Sequence, residues 1–159
     1  MENTEFEKRA AELMRRLNDP SIVTAEELED AAVEGLYRLF PHYSWVGIYW
    51  LEGEMLKLGK WRGRSPTEHV AIPLGKGICG AAAASGKIEN IPDVGADSRY
   101  ISCFITTKSE IVVPIEGAHG FIGEIDIDSE TPSAFGARDE ELLTRIASQF
   151  RRFEGKKLR

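Results

Sequence analysis

Cysteine is scarce in this chain of 159 residues, which holds two, Cys79 and Cys103. Two cysteines cannot staple a disulfide scaffold, so the expected compartment is a reducing cytoplasm. No apolar run reaches the roughly 20 residues of a membrane-spanning helix. The first residues are also too polar for a secretory signal, so no membrane partner is expected. The three histidines (His42, His69 and His119) show no metal-ligand spacing, and the two cysteines lie far apart, so no metal is expected. The Gly75-Lys76-Gly77 turn lacks the Gly-Lys-Ser/Thr ending of a phosphate loop and the spacing of a dinucleotide fingerprint. A net charge of −6 argues against a nucleic-acid partner. The basic excess at the end, five Lys/Arg against one Glu in residues 151–159, follows a predicted helix and reads as its solvated C-terminus.

What remains is ordinary globular composition, 42% hydrophobic and 29% charged, at a length that predicts one domain over residues 1–159. Residues 1–41 read as two helices. Phe6, Ala10, Leu13, Met14 and Leu17 stripe the first; Thr24 and Glu27 form a capping-box pattern at the start of the second. Residues 43–129 read as strands and loops: a hairpin of Ser44–Leu51 with Met55–Trp61, a short strand at His69–Ile72, an alanine-rich helix closed by Ser85-Gly86, a short strand at Ile88–Ile91, and a second hairpin of Glu110–Ile115 with Phe121–Ile127. Residues 138–153 read as one helix burying Leu142, Leu143, Ile146, Ala147 and Phe150. The predicted fold class is α+β: a central antiparallel sheet, terminal helices on one face, and the irregular 62–76 and 92–108 segments enclosing a pocket on the other.

The candidate chemistry begins at Cys103, a loop thiol that substrate can reach, flanked by Ser102 and Phe104. Cys79 follows a glycine-rich turn near a helix N-terminus, where backbone N–H groups would favour a thiolate; packing between glycine and alanine is its alternative. Asp126 and Asp128 share one strand face, opposite Ile125 and Ile127, and that face could be solvated or functional. Glu110 opens a strand and could equally sit at the surface. Trp45 and Tyr49 share a face across Gly47, an arrangement that predicts a recessed floor between two rings, suited either to core packing or to a methyl-sulfinyl group. A thiolate beside protonatable carboxyls is equipped to attack an electrophilic sulfur while an acid protonates the departing oxygen.

Together, Trp45-Val46-Gly47-Ile48-Tyr49, Ile72 through Gly80, Ile91-Pro92-Asp93-Val94, Ser109 through Pro114 and Ile125-Asp126-Ile127-Asp128-Ser129 resemble the free methionine-(R)-sulfoxide reductases, which are single-domain GAF proteins. The resemblance implies that Cys103 is the nucleophile and passes through a sulfenic acid. It implies that Glu110, Asp126 and Asp128 surround the sulfoxide oxygen and the substrate amino group, and that Trp45 and Tyr49 hold the methyl end. Cys79 falls at a second family cysteine. His69 stands where the usual resolving cysteine does, and Phe104 where the usual acid follows the nucleophile. Regeneration would therefore use a Cys79–Cys103 disulfide or an external thiol directly.

The implied partners are free methionine sulfoxide and thioredoxin or a low-molecular-weight thiol, with no bound cofactor. The amphipathic terminal helices would also suit a helix-mediated homodimer. Two other classes stay open at this point: a non-catalytic GAF module that senses a small molecule, and a thiol redox switch built on Cys79 and Cys103.

Overall fold

The computed structural model describes residues 1–101 and 104–154. Helix α1 (Asn3–Leu17) buries the predicted stripe of Phe6, Ala10, Leu13, Met14 and Leu17. Helix α2 (Ala25–Leu39) starts at the predicted capping box: Glu27 N–H donates to Thr24 Oγ1 at 3.1 Å, and Thr24 N–H donates to the Glu27 carboxylate at 3.2 Å. Strands β1 (Trp45–Glu52) and β2 (Met55–Gly63) form the first hairpin, with β3 (Ala71–Pro73) on the outer edge of β2. Helix α3 (Gly77–Ser85) ends at Gly86, whose φ of 70° is the left-handed cap that glycine adopts without a Cβ penalty. Strand β4 (Glu89–Ile91) follows, then the hairpin of β5 (Ser109–Gly117) and β6 (Gly120–Ser129), and finally α4 (Ala137–Gln149). The predicted final helix is shorter than expected: after Gln149 the chain tightens into a 3₁₀ turn over Phe150–Phe153. Among the described residues no helix is long and apolar enough to cross a membrane.

The sheet is antiparallel throughout, in the order β3-β2-β1-β6-β5-β4, so the two hairpins meet along β1 and β6. Side chains alternate across it. Val46, Ile48 and Trp50 of β1, with Ile125 and Ile127 of β6, face the terminal helices and form the larger apolar core. The opposite face is not open to water. Trp45, Tyr49 and Val112 pack there with Ile78, Cys79 and Ala82 of α3 in a second, smaller cluster. A bulge where the β5–β6 register shifts between Ile115 and Glu116 turns Phe121 onto this second face, whereas Gly123 stays on the helix side against Trp50.

One acid ties the layers together. Glu29 of α2 is buried and accepts from the Trp50 indole N–H at 3.0 Å and from the Lys60 backbone N–H at 2.8 Å. Glu29→Ala would strand both donors, each at about 1–3 kcal/mol. The expected result is a loss of about 2–4 kcal/mol in urea unfolding with an unchanged slope.

Candidate functional site

The register of three adjacent strands gathers the acids. Across β1 and β6, Trp45 pairs with Asp128, Gly47 with Asp126, and Tyr49 with Glu124. Across β5 and β6, Glu110 pairs with Asp128 and Val112 with Asp126. Residues directly opposite each other share a face, so four carboxyl groups and two aromatic rings project to the side that α3 covers. Glu110, Glu124, Asp126 and Asp128 are all buried. The solvated alternative for the acidic face of β6 therefore does not apply, and Glu110 is not a surface residue.

Burial decides the electrostatics. It pushes the Asp126, Asp128 and Glu124 carboxyls above the usual carboxylate range, and the neighbouring Asp126 charge pushes Asp128 and Glu124 further the same way. Hydrogen bonds between Glu110 and each aspartate, and from the Thr107 hydroxyl to Asp128, act in the opposite direction. A hydrogen bond between two carboxyls requires a proton on one of them. The network thus shares at least one proton in a buried site, an environment that favours the protonated form of a carboxyl group.

Cys79 enters this site from the first turn of α3. Of the two readings open for Cys79, the structure agrees with packing between glycine and alanine rather than with a favoured thiolate. The residue is 6% exposed, and burial followed by Asp126, Glu124, Glu110 and Asp128 pushes its thiol well above the ordinary cysteine range. Burial is the larger cause, and the acids that long-range strand pairing brings to this face add to it. Cys103, the candidate nucleophile, lies outside the described residues.

The recessed floor predicted at Gly47 is also corrected. The Trp45 ring folds over it: a Cβ at Gly47 would sit 2.3 Å from the indole, and one at Gly63 on β2 would meet the same ring at 2.3 Å. The two glycines are the slot for Trp45, not a gap between rings. Trp45 stacks on Trp61 at 6.2 Å and meets Phe104 at 6.1 Å, so the residue that replaces the expected acid extends the aromatic wall. Tyr49 is fixed by its hydroxyl, which donates to the His69 carbonyl at 2.7 Å.

Two cavities open on this face. A narrow one of about 20 Å³ is bounded by Tyr49, His69, Lys76, Cys79, Glu110 and Asp126. A roomier one of about 270 Å³ is bounded by Trp45, Arg64, Phe104, Thr107, Asp128 and Glu130. Asp128 belongs to the second and Asp126 to the first, so the hydrogen-bonded acids form the wall between them. Sequence reasoning missed Glu124, Trp61 and Phe104 as parts of this site. The signal for Glu124 was present in the alternation Glu124-Ile125-Asp126-Ile127-Asp128, which puts three acids on one face.

The GAF domain model matches residues 24–152. The free methionine-R-sulfoxide reductase of Escherichia coli (strain K12) is 36% identical over 114 residues, covering 72% of this chain and 68% of that protein. The solved type II free methionine-R-sulfoxide reductase from Thermoplasma acidophilum is 42% identical, with a TM-score of 0.77 over 80% of this chain and 90% of that one. The free methionine-R-sulfoxide reductase from Neisseria meningitidis, solved in complex with its substrate, is 27% identical, with a TM-score of 0.83 over 96% of this chain and 90% of that one.

Proposed function

Because the chain belongs to the GAF domain family and its relatives include free methionine-R-sulfoxide reductases, we propose that it is an oxidoreductase that converts free L-methionine-(R)-S-oxide to methionine with electrons from an external thiol. The observation that carries this reading is the buried, proton-holding network of Glu110, Asp126 and Asp128 beside an aromatic wall of Trp45, Trp61 and Phe104.

In the proposed reaction the Cys103 thiolate attacks the sulfoxide sulfur while a carboxyl of the network protonates the oxygen. The new sulfur–sulfur bond and the sulfur–oxygen bond both break as the hydroxyl passes to the Cys103 sulfur, so methionine leaves reduced by two electrons and Cys103 is left as a sulfenic acid. One external thiol displaces water from that sulfenic sulfur, and a second releases the mixed disulfide, so two thiols become one disulfide per turnover. Trp45 and Phe104 suit the methyl end of the substrate, and Glu110, Asp126 and Asp128 its ammonium and sulfoxide oxygen.

External regeneration is favoured over a Cys79–Cys103 disulfide. Attack on a sulfenic acid needs a thiolate, and Cys79 holds its proton firmly. The donor in the cell would be thioredoxin or a small thiol of a reducing cytoplasm.

Recognition of a free amino acid makes a direct test. With dithiothreitol as donor, free methionine sulfoxide should be consumed, and the same sulfoxide carrying an N-acetyl group and a C-terminal amide should not. Equal rates on both would overturn the assignment to free substrate. Ligand binding with no product from either would favour a GAF sensor.

A further inference from the structure

The closed end of the pocket joins groups that no motif links in sequence. Cys79 Sγ from α3, a carboxylate oxygen of Glu110 from β5 and one of Asp126 from β6 all lie within 4.8 Å of one another, and all three residues are buried. Glu124 stands next to them on β6. It is 0% exposed, and the Cys79 S–H can serve only one of its two oxygens, which leaves the other without a hydrogen-bond partner among the described residues; Asp126 Oδ1 has none either. Glu124 is close enough for Asp126 and the Cys79 thiol both to act on it. Among the described residues no lysine, arginine or histidine is buried. Unpartnered buried acceptors of this kind are destabilising unless something is there to meet them.

We propose that this end of the pocket is a binding site for a zinc-type divalent cation, held by Cys79 Sγ, Glu110 and Asp126 with Glu124 as the fourth ligand, and that its occupancy blocks the reductase. The donor set selects the class of ion. Magnesium and calcium take oxygen donors alone, whereas one sulfur among carboxylates suits zinc or its softer probe cadmium. Zinc–sulfur and zinc–oxygen bonds of about 2.3 and 2.0 Å place tetrahedral donors about 3.5 Å apart. The observed spacing of up to 4.8 Å closes to that by side-chain rotation.

The ion replaces the protons that the thiol and carboxyls now hold, and releases them to water. No electrons move. Blockage follows because the ion occupies Glu110 and Asp126, the carboxylates that the substrate's ammonium and sulfoxide oxygen would meet. That second half rests on the proposed reductase activity; binding does not.

Cadmium, added to the full chain carrying Cys103→Ser so that Cys79 is the sole thiol, tests the site. One equivalent should produce sulfur-to-cadmium charge-transfer absorption, absent in the Cys79→Ser, Cys103→Ser double variant. The isosteric Asp126→Asn change, with folding checked by circular dichroism, should weaken binding at least tenfold. A folded protein with no absorption, or an affinity unmoved by Asp126→Asn and Glu124→Gln alike, would overturn the site.

The inhibitory half is read separately, in a single turnover of pre-reduced protein with native cysteines and no free thiol present. Saturating zinc should suppress the methionine burst at least tenfold, and chelation should restore it. An undiminished burst with zinc bound overturns the blockage. Cadmium binding in a protein that makes no methionine even without metal supports the site and contradicts the reductase reading.

Discussion

Asp126→Asn is expected to lower the rate of sulfoxide reduction by about 10²–10⁴-fold, the usual contribution of a positioned general acid, while stabilising the fold at neutral and alkaline pH. The two effects have one cause. Asp126 sits between Glu110 and Glu124 in a site with little water, and burial raises its folded-state pKa above the ordinary range. Between the unfolded and folded values the native chain holds a proton that the unfolded chain has released. Stability therefore falls as pH rises through that window. Asparagine has nothing to ionise, so the gain over the parent should grow with pH and vanish below the ordinary aspartate range. Its size should be about 1.4 kcal/mol for each tenfold by which burial weakens the acid. Urea unfolding of both proteins from the acid to the alkaline side of neutrality, beside the rate of methionine formation, separates the outcomes. An Asp126→Asn protein that is less stable at high pH, or as active as the parent, would refute the proton-holding role.

Cys103→Ser is expected to abolish turnover, by on the order of 10³-fold or more, because a serine hydroxyl is neither ionised near neutral pH nor a comparable nucleophile toward sulfur. No other thiol can substitute. Cys79, the second cysteine, is buried among acids that oppose its ionisation. After one turnover without reductant, mass spectrometry should find a dimedone-trapped sulfenic acid on Cys103 and no Cys79–Cys103 disulfide. Quantitative recovery of that disulfide would show Cys79 to be the resolving thiol and would contradict external regeneration.

The helices and strands were legible because their signals are local. The Thr24–Glu27 capping box and the buried stripe of α1 follow from spacing alone, and both are present. The alternation of Ile125 and Ile127 with Asp126 and Asp128 correctly divided β6 into two faces. Whether the acidic face met water was not legible. That depends on α3, distant in sequence, lying over the sheet.

The setting of Cys79 has the same origin, since its burial and the acids that add to it arrive through the packing of α3 on the sheet and the pairing of β5 with β6. Gly47 misled for a related reason. Its missing side chain predicted open space, yet it is one half of a slot whose other half, Gly63, comes from the neighbouring strand.

The most direct measurement of the central claim is the fate of the two sulfur epimers. Purified protein should be incubated with dithiothreitol and free methionine sulfoxide prepared as an equal mixture at sulfur, with each epimer followed by chromatography. The account predicts that the R epimer disappears, methionine appears in equal amount, and conversion stops at half of the pool. Consumption of the S epimer at a matching rate would contradict it, as would no consumption of either epimer by protein that binds the ligand.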